Sequence, residues 1–295
     1  MTRRLALVVN PGARGDPANA LARAEQAAAA ADWEVTVGHT DMRGHAFILA
    51  QDAAQQGVDM VVAVGGDGTV REAAAGLAAT GVPLAIVPAG SGNSSFLELY
   101  GEAPWEDTLA GVLDGGKNRA IDLIELQPTG EYGLLGFSAG WFAQIVELAA
   151  SAASSGAARY AEAAGIAAAA PVQFPATIRV DGRVLAEGDI GLIAIGGARV
   201  RASLFPVFPN SLMDDGLLEV LVVRATDSAG FNDLLGAVVT GRDLEHPLAS
   251  YARAAEVEIT APNGLLAEFD GDLWDRAIYS IDVRCAAGQL LVAVP

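Results

Sequence analysis

The chain has a single cysteine, Cys285, so no disulfide can form within it, and that usage fits a reducing, cytoplasmic setting. Basic side chains are scarce: 18 Lys and Arg stand against 36 Asp and Glu, and Lys117 is the only lysine. The resulting net charge of −18 argues against nucleic acid as a partner and against broad electrostatic adhesion to anionic membranes. Its ordinary meaning is solubility. No run reaches the roughly 18–20 strongly apolar residues of a membrane span. The high mean hydropathy of +0.34 owes much to alanine, which favours helix more than it signals lipid. Arg3 and Arg4 precede an apolar stretch at 5–9, but Asn10-Pro11-Gly12 breaks it too soon for a signal peptide.

What is present is enough apolar material, 52% of 295 residues, for two packed domains. Over residues 1–125 strands and helices alternate. Strands are expected at 5–9, 34–37, 60–64, 84–87 and 120–126, and helices at 17–31, 44–56, 69–78, 92–100 and 106–113. That alternation predicts an α/β domain, an open parallel sheet flanked by helices. Beyond it the character changes. Strands are expected at 133–139, 176–180, 190–195, 217–223, 256–260, 265–269 and 290–294, with an alanine-rich helical stretch at 142–170. Residues 126–295 therefore read as a mainly antiparallel β domain, whose last strand is free to pack back on the first. Asp181-Gly182 between two apolar arms is a hairpin signal.

The strongest functional signal is Gly65-Gly66-Asp67-Gly68-Thr69, directly after the apolar run 60–64. Glycines let the backbone approach a phosphate, and consecutive N–H groups at a helix start cradle an anion. Pro88-Ala89-Gly90-Ser91-Gly92-Asn93 and Asn10-Pro11-Gly12-Ala13-Arg14-Gly15 follow two further strands in the same way. Three such loops at strand ends share one edge of one sheet, where open α/β sheets bind ligands. A Walker A loop is excluded, because the sole lysine sits in Gly116-Lys117-Asn118. The dinucleotide fingerprint lacks its third glycine. His39, His45 and His246 have no metal-ligand spacing.

With these loops the chain resembles the diacylglycerol-kinase catalytic-domain family, which includes bacterial lipid kinases and sphingosine kinases. Gly65 to Thr69 with Val70, Glu72 and Gly76-Leu77 resembles its nucleotide motif, and Pro88 to Asn93 its second motif in a sphingosine-kinase-like spelling. Asn10-Pro11, Thr40 with Ala46, Ile121-Asp122-Leu123, Asp214-Asp215-Gly216-Leu217 and Phe269-Asp270-Gly271-Asp272 extend the likeness along the chain. Three positions depart from the pattern: Arg71 stands for Asn, Ser94 for Asp and Asp272 for Glu.

The resemblance implies a lipid kinase with ATP and Mg2+ as cofactors. Asn10, Thr40, Gly65, Gly66, Asp67, Gly68, Thr69, Val70, Arg71, Gly90, Ser91 and Asn93 would hold ATP, with Asp67 ordering phosphates and metal. Asp270 would be the catalytic base, Asp272 would shape its surroundings, and Asp122 would be a network partner. Asp215, with the carbonyls of Leu212 and Leu217, would bind a structural magnesium. Against these stand plainer roles: Asp67 as a helix cap, Asp270-Gly271 as a hairpin turn, Asp215-Gly216 as a β-turn. The acceptor is expected to be a lipid hydroxyl at a membrane surface, with transient association and a homodimer left open. Diacylglycerol or a related neutral lipid is preferred, because Gln144 stands where sphingosine-kinase relatives place an acid. The competing readings are a sphingoid-base kinase, a NAD kinase-like enzyme, which Ser94 after Asn93 counts against, and an inactive lipid-binding relative.

Overall fold

Met60-Val61-Val62-Ala63-Val64 has no polar side chain to offer water, and all five are buried in the middle of a parallel sheet. The computed structural model describes residues 2–154, 157–200, 205–239, 245–274 and 277–295. They fall into two units, Met1–Ile121 with Gly288–Pro295, and Asp122–Ala287.

The first unit runs β1 (Arg3–Val9), α1 (Pro17–Ala30), β2 (Trp33–His39), α2 (His45–Gln55), β3 (Met60–Gly65), α3 (Asp67–Leu77), β4 (Leu84–Pro88), α4 (Ser94–Tyr100) and α5 (Trp105–Leu113), and β5 (Lys117–Gln127) leads out of it. Its strands are parallel in the order β2-β1-β3-β4, in register at Val9↔His39, Val9↔Val64 and Val64↔Val87. α1 starts with Pro17 after Asp16, whose carboxylate accepts from the Asn19 N–H at 3.2 Å. It buries Ala20, Ala24 and Ala28, one small-residue stripe at i, i+4 spacing. α3 meets α2 as closely as backbone allows: a Cβ on Gly76 would lie 2.4 Å from the Phe47 carbonyl oxygen.

The second unit contains β6 (Glu131–Gly133), β7 (Phe137–Gly140), α6 (Trp141–Ala150), α7 (Ala157–Ala169), β8 (Phe174–Val180), β9 (Arg183–Gly196), β10 (Leu218–Arg224), α8 (Ser228–Val239), β11 (Ala249–Ala254), β12 (Glu256–Leu265), β13 (Ala267–Phe269), β14 (Asp272–Leu273) and most of β15 (Ile278–Val294). Its pairings are antiparallel. β9 is long enough to pair with β8 through its first half and with β7 and β10 through its second. One core gathers Phe137, Ile178, Ile193, Ile259 and Phe269. A second gathers Trp141, Phe142, Phe205, Phe208 and Phe231, with the Trp141 and Phe231 rings 4.7 Å apart.

The fold class is the expected one, a parallel α/β sheet followed by antiparallel β structure. Several elements differ from expectation. The 142–170 stretch is two helices, interrupted after Ala150, and residues 155–156 lie outside the described ones. The strand at 133–139 is split into β6 and β7, while α8 and β11 were not foreseen. The last strand begins at Ile278, not near 290, and its end runs parallel to β4 through Val292↔Leu84.

Candidate active site

The four parallel strands end side by side, and each hands the chain to a loop on the same edge. In the order β2-β1-β3-β4, the connection from β1 goes one way and the rest of the sheet the other, so the crevice at a topological switch point lies between β1 and β3. Asn10 and the 65–69 loop flank that crevice. The Asn10 N–H donates to the Val64 carbonyl at 3.0 Å, and the Asn10 Nδ2 donates to Thr69 Oγ1 at 3.1 Å. Asn10 Oδ1 accepts from the Gly12 N–H at 2.9 Å, which shapes its own loop. The Thr40 N–H, at the end of β2, donates to the Val9 carbonyl at 2.8 Å.

The three glycine loops are tied to one another. The Gly15 N–H donates to the Ala89 carbonyl and the Ala89 N–H to the Gly65 carbonyl, each at 2.8 Å. A Cβ on Gly90 would come 2.5 Å from the Gly66 Cα, so side-chain-free residues are required where the second and third loops touch. Asn93, left-handed at φ 54°, closes its loop by accepting from the Gly90 N–H at 2.9 Å and donating to the Gly90 carbonyl at 3.1 Å. Gly68 and Ser91 are exposed, whereas Thr69, Val70 and Arg71 are buried at the start of α3.

Asp67 does not cap α3. That helix starts at Asp67 itself, after Gly66, and the Asp67 carboxylate accepts from the Ser95 N–H of α4 at 2.8 Å. The carboxylate therefore sits between the phosphate-type loop and the next one. Glu72, one turn along α3, does act as a cap, for another helix: its oxygens accept from the Gly44 N–H at 2.8 Å and the Ala46 N–H at 3.1 Å. α2 has Gly44 at its N-cap and no side chain of its own for the task.

In the second unit, Asp270 and Gly271 occupy the turn of the β13–β14 hairpin at φ 50° and 85°, as a type I′ turn requires. The turn also builds something. The buried Asp270 carboxylate accepts from three successive N–H groups, Leu134 at 2.6 Å, Leu135 at 2.9 Å and Gly136 at 2.7 Å, while the Asp270 N–H donates to the Gly136 carbonyl at 2.9 Å. Glu268 was not foreseen. Only 5% exposed, it accepts from the Ser138 hydroxyl through one oxygen and from the Gly271 N–H at 2.8 Å through the other. The readable signal was a carboxylate inside the otherwise apolar run 265–269.

Asp122 accepts from the Gly216 N–H at 2.7 Å and its own N–H donates to the Met213 carbonyl at 2.6 Å, so it braces the 213–217 loop. Burial, and then the nearby charge of Asp122 and its hydrogen bond, push the Cys285 thiol up to about 12, which keeps it protonated at neutral pH. The resemblance implies a structural magnesium at Asp215 with the carbonyls of Leu212 and Leu217, and both oxygens of Asp215 have partners within the chain. One Asp215 oxygen accepts from the Leu217 N–H at 3.1 Å, and the other is paired with the Arg253 guanidinium.

Comparison with known proteins bears directly on these two units. Residues 4–126 match the diacylglycerol kinase catalytic domain, and 137–293 match the YegS C-terminal NAD kinase beta sandwich-like domain. A protein of Pseudomonas putida named "Probable lipid kinase YegS-like" is 31% identical over 266 residues, which covers 88% of this chain and 85% of that protein. The chain belongs to the diacylglycerol kinase and YegS-like lipid kinase family. Within this lipid kinase family, a diacylglycerol kinase of Mycobacterium tuberculosis is 28% identical over 249 residues, 82% of this chain and 80% of that one. The crystal structure of a diacylglycerol kinase from Bacillus anthracis superimposes with a TM-score of 0.73 at 22% identity, covering 100% of this chain and 97% of that chain. The family is one of kinases, and the chain is a kinase of the lipid type. Among its described residues no helix is long and apolar enough to cross a membrane.

Proposed function

We propose that this lipid kinase transfers the γ-phosphate of ATP to the hydroxyl of a neutral lipid, diacylglycerol or a close relative, at a membrane surface. The observation that carries the reading is the interlocked set of glycine loops at the β1/β3 switch point, with Gly66 packed on Gly90. Close-set backbone at a helix start is the chemistry of a phosphate cradle. In this reading Gly65 to Arg71, Gly90, Ser91, Asn93, Asn10 and Thr40 form the ATP site, and Arg14, exposed on the first loop, adds one of the few cations available.

Phosphoryl transfer depends on positioning and charge neutralisation more than on new covalent chemistry. Magnesium in such sites is held by one or two carboxylates together with substrate phosphates. Asp67, beside the loop, is of that type, and the ion would neutralise charge on the phosphates when bound. Asp270 is assigned the proton of the acceptor hydroxyl. Three N–H donors, from Leu134, Leu135 and Gly136, fix the orientation of its carboxylate, as a positioned base requires. The buried Glu268–Ser138 pair fixes the same turn from the other side.

Neutral lipid is preferred to a sphingoid base because Gln144 cannot neutralise an ammonium. Its amide already donates to the Ala170 carbonyl at 3.1 Å, which leaves the carbonyl end to accept a hydrogen bond. Labelled ATP presented with diacylglycerol, monoacylglycerol and sphingosine in matched micelles tests the proposal. Highest kcat/KM is expected for a neutral lipid; a clear preference for sphingosine refutes the acceptor assignment, and phosphorylation of NAD in place of lipid refutes the activity.

A further inference from the structure

The 213–217 loop is fastened by a cation that the chain carries itself. Antiparallel pairing of β10 with β11 sets Glu219 opposite Arg253 and Leu221 opposite Tyr251, and alternation along β11 puts Tyr251 and Arg253 on one face. The Arg253 Nε contacts Glu219 at 3.2 Å, and its Nη2 pairs with Asp215 at the loop. The Tyr251 hydroxyl donates to the other oxygen of Glu219. One guanidinium thus bridges a loop carboxylate and the carboxylate of Glu219, whose side chain is only 6% exposed. Asp122 also holds the loop, at Gly216 and Met213.

We infer that Arg253 replaces a structural divalent ion at Asp215, so that the shape of this loop is independent of magnesium. Two physical points carry this. Magnesium requires near-octahedral oxygen ligands at roughly 2.0–2.1 Å, and the outer oxygen of Asp215 is committed to a guanidinium, a repelling charge in the position the ion would need. Nor can Arg253 move aside freely. Its departure would leave the buried Glu219 with a neutral tyrosine as its remaining partner in this cluster, and removing one partner of a buried charge pair is strongly destabilising. Asp215 and Glu219 raise the proton affinity of Arg253 more than burial lowers it, so the built-in cation does not switch off with pH.

This inference concerns the loop and not the reaction, and its test reads stability without nucleotide or lipid. The full chain is prepared with Asp67→Asn, so that any divalent response arises away from the ATP loops. Thermal unfolding is recorded in EDTA and in millimolar Mg2+ or Mn2+, with bound metal counted after dialysis. The chain with Arg253 intact is expected to show the same Tm in both and no retained ion. Arg253→Met is expected to lose several degrees in EDTA and to recover part of the loss with Mg2+ or Mn2+, as Asp215 becomes free to bind. Arg253→Lys, which keeps the charge, should stay metal-insensitive with an intermediate Tm; it also decides the matter if Arg253→Met does not fold. A metal-dependent Tm with Arg253 present, one retained ion per chain, or an Arg253→Met protein as stable in EDTA as its parent would each overturn the inference.

Discussion

Asp67 and Asp270 both accept backbone N–H groups, yet the two contacts respond differently to the same substitution. Asp67 receives one donor, the Ser95 N–H. An asparagine can accept that bond with its carbonyl oxygen, so Asp67→Asn removes charge and little else. The variant is expected to unfold at the parent Tm and to lose nearly all turnover; wild-type-like turnover would end the assignment of Asp67 to phosphate and metal. Asp270 receives Leu134 on one oxygen and Leu135 with Gly136 on the other. In Asp270→Asn one of those buried N–H groups faces an NH2 and goes unmatched, which costs about 1–3 kcal/mol. We expect a lower Tm, retained ATP affinity by calorimetry, and turnover reduced about 10²-fold or more when assayed well below that Tm. Loss of ATP affinity with chemistry intact would move Asp270 to the nucleotide site. From the sequence, Asp270-Gly271 reads both as a hairpin turn and as the site of a base. The turn geometry is present, and it is what aims the carboxylate at the 134–136 backbone. No spacing rule could reveal that contact, because its partners are more than 130 residues apart.

At the scale of elements, α2 depends on a carboxylate from its neighbour. Gly44 offers no side chain, and Glu72 of α3 takes both N–H groups. Glu72→Ala is expected to destabilise by about 1.5–3 kcal/mol, the range for hydrogen bonds to a charged acceptor, with increased hydrogen exchange at the start of α2; unchanged protection there would show the cap to be idle. The strand–helix alternation of the first unit was legible because the buried runs 5–9, 60–64 and 84–87 are unbroken apolar stretches closed by turn residues, Asn10, Gly65 and Pro88. α8 has weak local signals for a physical reason: Gly230 and Gly236 lower the helix propensity inside it, although Asp227 accepts from the Gly230 N–H at 2.9 Å. β11 is short and half-exposed and has little apolar signature; its side chains, Tyr251 and Arg253, bind through charge and hydrogen bonds to β10. The interlocking of the glycine loops was readable as three similar turns, but their mutual contacts depend on strand order, which local pattern does not contain.

For the molecule as a whole, the C-terminal segment completes the first unit. Leu290, Val292 and Ala293 are buried, the Gln289 carbonyl accepts from the Ala79 N–H at 2.8 Å, and the Ala293 carbonyl from the Tyr100 hydroxyl at 2.9 Å. Burial of the leucine and valine alone is worth roughly 1.5–3 kcal/mol each, a large share of the ~5–15 kcal/mol that typically holds a domain together. A chain lacking residues 288–295 is expected to lose both the cooperative unfolding of this unit and its ATP-induced thermal shift; retention of the shift would mean that the segment only decorates the sheet. The same topology gives the gene product an order in time. Synthesis delivers the phosphate loops early, but the strand that finishes their sheet leaves the ribosome only after every residue of the second unit. A chain stalled or cut at any point within the second unit carries the loops on an unfinished scaffold.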